Sequence, residues 1–89
     1  MKLRCNHSII NLDNYDHVTI YGEPFKGGFT ISAVKKTAGG GLFGGTSTTF
    51  TDIAYFDESE DAENALDAIQ EAWVKNEASF DLIEWIENN

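Results

Sequence analysis

The hydrophobic period of this chain changes once, after Phe56, and that change limits the fold more than any other feature. Upstream, apolar residues recur at every second position. Val18 and Ile20 alternate with Thr19 and Tyr21, and Phe29, Ile31 and Ala33 alternate with more polar neighbours. Thr46–Phe56 is rich in Thr, Phe, Ile and Tyr, side chains that suit a pleated, half-buried surface, and it predicts one long strand. Downstream, Ala62, Ala65, Leu66, Ile69, Ala72 and Trp73 recur at the helical period and predict a helix over 59–75. Asp57 or Ser59 serves as its cap, and Glu60, three residues after Asp57, completes a capping box. Strands first and one main helix late describe an α+β domain, with an antiparallel sheet of four to five strands packed against that helix.

Weaker signals fill in the remainder. The run from Leu3 to Leu12 changes apolar parity between Ile9 and Ile10, as a bulge or a strand break requires, and Asp13-Asn14 supplies a turn. Glu23-Pro24 and Gly27-Gly28 mark the next connection. Phe80 to Ile83 reads as a short strand or extended segment, followed by a terminal helical turn that points Trp85 and Ile86 inward. With 89 residues and no internal repeat or linker, the chain reads as one domain. Its β-rich half is 1–56, with a glycine-rich loop over 37–47, and its acidic helix and tail are 57–89.

Charge divides at the same point. Fifteen acids against six bases give a net charge of -9, which disfavours direct binding to DNA, RNA or an anionic membrane. Residues 1–56 hold four acids and five bases, whereas residues 57–89 hold eleven acids and only Lys75. Glu60, Glu63, Asp67 and Glu71 recur every three or four positions and so line one outer stripe of the predicted helix, with Asp61 beside them. Acids in the first turn are favoured by the helix dipole, and Glu71 can pair with Lys75; Asp67 gains from neither. Such a stripe keeps a small protein in solution, or it imitates a nucleic-acid backbone and fills the basic groove of a protein that binds one. One carboxylate per helical turn is well under the duplex density of about one charge per 1.7 Å, so mimicry draws on further acids in the C-terminal segment.

The stretch KTAGGGLFGGTSTT raises a different chemistry. Gly39, Gly41 and Gly44 fit a G-x-G-x-x-G spacing, and Gly39, Gly44 and Thr46 fit a P-loop that has Gly45 where the lysine belongs. Both motifs need the loop to open a helix whose N-terminal amides bind the phosphate. Here it opens a threonine-rich, β-branched strand, so a hairpin loop is the simpler reading, with Leu42 and Phe43 as an apolar tip that folds back or contacts a partner. A nest of amides can still hold an anion without a helix, which leaves Lys35, Lys36, Gly39, Gly40, Gly41 and Gly44 as the site of an alternative function, a sponge for a nucleotide signal.

Little else points to catalysis. Cys5, His7 and His17, with Asp13 and Asp16, form the one cluster resembling a metal or nucleophile site, yet it has no C-x-x-C or H-x-x-x-H pair and no nucleophile elbow. Cys5 reads as a small buried hydrophobe, and no cofactor or metal is expected. A lone cysteine excludes an intrachain disulfide and favours a reducing cytoplasm. The N-terminus lacks a signal-peptide run, and no segment reaches the roughly 20 apolar residues of a membrane span.

The segment IINLDNYDHVTI resembles the opening strand-turn-strand of small proteins carried by phages and mobile elements of low-GC Gram-positive bacteria. Those proteins similarly continue into strands and an acidic-opened, alanine-rich helix, here DESEDAENALDAIQEAW. The glycine-rich loop departs from their short hairpin, and the resemblance transfers no functional residue. It implies a phage or prophage accessory protein, a setting in which small acidic proteins resemble inhibitors of host defence, including anti-CRISPR and anti-restriction proteins. The expected function is therefore non-enzymatic. Glu60, Asp61, Glu63, Asp67 and Glu71, with Leu42 and Phe43 as apolar anchor, would engage the basic, nucleic-acid-binding surface of a host protein. A self-associating module, a homodimer paired through sheet edges, is a further alternative.

Overall fold

A computed structural model of the chain describes residues 1–5, 8–22, 27–38 and 46–88. The expectations placed on His7, Glu23-Pro24 and the glycine-rich tip, including Gly39, Gly40, Gly41, Leu42, Phe43 and Gly44, lie outside the described residues.

The period-two half forms five strands: β1 (Lys2–Cys5), β2 (Ser8–Asn11), β3 (His17–Gly22), β4 (Phe29–Ala38) and β5 (Thr46–Phe56). The helical-period half forms α1 (Ser59–Val74), then β6 (Ser79–Asp81) and a short α2 (Leu82–Glu87). The class is α+β, but the expected single antiparallel sheet is corrected in two respects. The strands divide into two three-stranded sheets, ordered β2-β1-β6 and β3-β4-β5, and β6 lies parallel to β1.

The physical reason lies in two interruptions. The Leu3 to Leu12 run breaks between Cys5 and Ser8, which pair across the β1–β2 hairpin, so Leu3 and Cys5 face inward while Ile9 turns out. The 3-10 turn Leu12–Asn14 then redirects the chain into β3. Its cap, Asn11, accepts a hydrogen bond from the Asp13 amide at 3.1 Å, and buried Leu12 pins the turn to the core.

In the second sheet, β3 and β5 flank β4 in antiparallel register, from His17↔Val34 to Gly22↔Phe29 and from Phe29↔Phe56 to Ala38↔Thr46. The β4–β5 register shifts between Ile31 and Ser32, whose partners are Ala54 and Asp52, so Ile53 is an extra residue in β5. A bulge places two consecutive side chains on one face. That accounts for Ile53 and Ala54 both packing into the core although they are adjacent in sequence.

One core joins everything: Leu3 and Cys5 from the first sheet, Leu12 from the 3-10 turn, Val18, Ile31, Ala33 and Ile53 from the second sheet, Ala65, Ile69 and Ala72 from α1, and Leu82 from α2. Three of the residues that α1 buries there or beside it are alanines, which let the helix approach the sheet closely. The start of α1 corrects the capping-box expectation. Glu58, not Asp57 or Ser59, occupies the cap position, and its side chain makes no cap hydrogen bond. The end is a Schellman turn, in which the Asn76 amide donates to the Trp73 carbonyl at 3.0 Å, and the Glu77 amide donates to the Ala72 carbonyl at 3.1 Å. Asn76 adopts φ 59° there. Asn tolerates this left-handed geometry better than most residues.

Candidate functional site

The outer face of α1 is built by arithmetic. Ala62, Ala65, Ile69 and Ala72 bury one side of the helix, so Glu60, Glu63, Asp67 and Glu71 emerge on the other, and all four are exposed. From Glu60 to Glu71 the stripe runs about 16 Å at 1.5 Å per residue. Among the described residues, the acids joined in ion pairs are Asp13, Glu71 and Asp81. Glu71 meets Lys75 at 2.7 Å, and the hydrogen bond and charge of that ammonium hold the Glu71 carboxyl below its ordinary value. Asp81 accepts from the Glu84 amide at 3.0 Å as the cap of α2, and also meets Arg4 at 2.8 Å. Both bonds hold its carboxyl low, the amide foremost. The amino group of Met1, at 2.8 Å, holds the Asp13 carboxyl low, with a smaller hydrogen bond from Trp73. Glu60, Glu63 and Asp67 thus present their charge outward.

Asp61 separates from this stripe. One residue on from Glu60 it lies about 100° around the helix, on the flank toward α2. There it lines a cleft of 480 Å³ with Phe56, Asn64, Trp85 and Ile86. A neighbouring cleft of 400 Å³ shares Ile86 and is lined by Ile53, Ala54, Leu82, Ile83 and Glu87 among others. Trp85 is half-buried and packs on the core as the sequence implies. Ile86 does not: it is 41% exposed, because the two clefts open on either side of it.

Of the alternative anion site, Lys35 and Lys36 are the members among the described residues. Lys35 and Lys36 are both exposed near the end of β4, but neighbours on a strand point to opposite faces, and their partners in β5 are Thr49 and Thr48 respectively. Of the Cys5 cluster, His7 lies outside the described residues. Cys5 is buried with its Sγ 3.6 Å from Ser8 Oγ, His17 is exposed at the start of β3, and Asp16 accepts the Lys36 amide at 2.6 Å. Among the described residues no three His, Cys, Asp or Glu side chains come together as a metal site.

Sequence reasoning missed the outer face of the second sheet. Tyr21, Phe50 and Tyr55 are 37%, 57% and 49% exposed there, with the Tyr21 and Phe50 rings edge-on at 6.4 Å. Beneath them Asp52 accepts from Tyr21 Oη at 3.0 Å and from buried Ser32 Oγ at 2.8 Å. The alternation that predicted the strands also carried this signal, since the positions between the core residues are aromatic as well as polar. The clefts beside Ile86 had no such signal, because they arise from where α2 comes to rest.

No protein family, curated protein or solved structure matches the chain. Among the described residues no helix is long and apolar enough to cross a membrane.

Proposed function

We propose that this is a non-enzymatic binding protein whose acidic helix face engages a basic, nucleic-acid-binding surface of another protein, in the manner of a phage-type inhibitor of host defence. The observation that supports the reading is the face of α1, where Glu60, Glu63 and Asp67 stand exposed outside the ion pairs and Glu71 completes the row. An array of like charges held on a rigid helix steers and orients a partner of opposite sign. The expected test is capture from host lysate on the immobilised wild type and on Glu63→Lys/Asp67→Lys/Glu71→Lys. The wild type retains nucleic-acid-binding proteins that duplex DNA or 0.5 M salt (roughly, a Debye length under 5 Å) displaces, and the reversed variant, still folded by circular dichroism, does not. Equal capture by both would end the electrostatic account.

A second reading is self-association, favoured by the aromatic outer face of Tyr21, Phe50 and Tyr55. Exposed apolar patches of this kind mark contact surfaces. Sedimentation at micromolar concentration distinguishes the two, since a wild-type monomer with an unchanged profile for Phe50→Ser rules out the dimer.

A further inference from the structure

The two clefts beside Ile86 differ in chemistry in a way that specifies an occupant. The larger sets a carboxylate, Asp61, beside two aromatic rings, Phe56 and Trp85, and an amide, Asn64. The smaller is mainly aliphatic, lined by Ile53, Leu82, Ile83 and Ile86 together with Tyr55 and Glu87. Among the described residues, no lining residue of either is basic. Between them they touch the last four residues of β5, Phe56 in the larger and Ile53, Ala54 and Tyr55 in the smaller, and β5 is an edge strand of its sheet.

We propose that this groove takes an extended peptide segment in which an arginine is followed closely by an aliphatic residue, supplied by the basic partner of the acidic face. The inference rests on that reading of the partner and names the part of it that is gripped rather than steered.

The guanidinium is the cation that best matches the larger cleft. It is planar, weakly hydrated and stacks on aromatic faces, and its fork of donors matches a carboxylate. A lysine ammonium offers neither the flat face nor the fork. The aliphatic cleft removes the neighbouring apolar side chain from water, at about 25 cal/mol per Å² of apolar surface. A segment lying beside an outermost strand is recognised most readily when extended, because alternate side chains then drop into successive pockets. Phosphates, nucleic acids and anionic lipid surfaces are disfavoured by Asp61 and Glu87 at the groove and by exposed Glu84 on the same helix.

The test uses the full chain and a capped Val-Arg-Val-Arg-Val peptide, followed by ¹H–¹⁵N NMR. The chain has two tryptophans, which makes the readout internally controlled. The indole signal of Trp85 and the amide of Ile86 should move on titration, while the indole of Trp73 stays in place. Replacing the arginines by citrulline, which keeps the shape and removes the charge, should weaken binding roughly three- to five-fold or more, and Asp61→Asn should have a comparable effect. Three results overturn the proposal. Equal affinity for the citrulline peptide removes the guanidinium, and an absence of Trp85 and Ile86 changes at millimolar peptide removes the groove. Changes at Ile86 that grow with protein concentration alone assign the groove to a second copy of this chain. If the peptide moves only Glu63, Asp67 and Glu71, the groove fails while the acidic face stands; if the lysate capture fails but Trp85 responds, the opposite holds.

Discussion

At the scale of single residues, the positions that matter most are those whose geometry admits little else. Gly28 has φ 87°, and a Cβ placed there would collide with the Tyr55 hydroxyl and lie 2.6 Å from its Cζ and 2.8 Å from the Phe56 carbonyl oxygen. Gly28→Ala should therefore destabilise the fold by about 2 kcal/mol or more, from backbone strain and the displaced ring together. An unchanged urea midpoint would show that this corner relaxes freely. Ser32 is fully buried and depends on Asp52 for its hydrogen bond. Asp52→Ala should cost about 1–3 kcal/mol by leaving that hydroxyl unsatisfied, whereas Asp52→Asn, which keeps a carbonyl acceptor, should cost less. Equal losses in the two would point to charge rather than hydrogen bonding. Three carboxylates, Asp13, Glu71 and Asp81, are held below their ordinary values in the folded state. A depressed folded value means that the contribution is complete above the unfolded carboxylate value, about pH 4, and is lost as the pH falls through the lower folded values. Acid titration of the unfolding midpoint should thus show a decline beginning near that point. In Asp81→Asn, which still caps α2 but no longer attracts Arg4, the decline should be shallower.

At the scale of elements, α1 joins a conventional inner face to an outer one of a single sign. Ile69 is fully buried at its centre, and Ile69→Ala should cost about 2–5 kcal/mol by urea unfolding, the range for a deleted core aliphatic side chain. Its Schellman turn gives the opposite sign. Asn76 already tolerates φ 59°, but glycine adopts that geometry without strain, so Asn76→Gly should stabilise by up to about 1 kcal/mol and Asn76→Ala should destabilise by a similar amount. Were both to shift the midpoint in the same direction, the left-handed residue would not be what ends the helix. β5 shows how one extra residue serves two faces. The bulge at Ile53 lets Ile53 and Ala54 both enter the core, and beyond it the alternation resumes, with Tyr55 outward and Phe56 inward.

At the scale of the whole molecule, the division of charge along the sequence is only partly a division in space. Acids cover α1 and α2, and exposed Lys35 and Lys36 sit near the end of β4, but Lys2 and Arg4 are exposed on β1 beside β6, where Arg4 pairs with Asp81. With a net charge of -9 and three ion pairs among the described residues, repulsion outweighs pairing, so added salt should raise the thermal midpoint at neutral pH. The same salt should weaken partner capture. A midpoint that falls with salt would mean that the ion pairs dominate.

What the sequence determined by itself is whatever depends on neighbours along the chain. Period two gave β3, β4 and β5, period 3.6 gave α1 and its buried residues, and the same spacing placed Glu60, Glu63, Asp67 and Glu71 outward, because side-chain direction follows from local backbone geometry. Where local signals compete, it fell short. Three acids and a serine at 57–60 all suit a helix start, and the cap position went to Glu58. The tertiary structure decided the rest: the split into two sheets, the parallel seat of β6 beside β1, the bulge at Ile53, and the clefts where α2 meets β5 and α1. Each of these pairs residues distant in sequence, and their choice is made by how one small core can be filled, a property of the whole chain that no window along it contains.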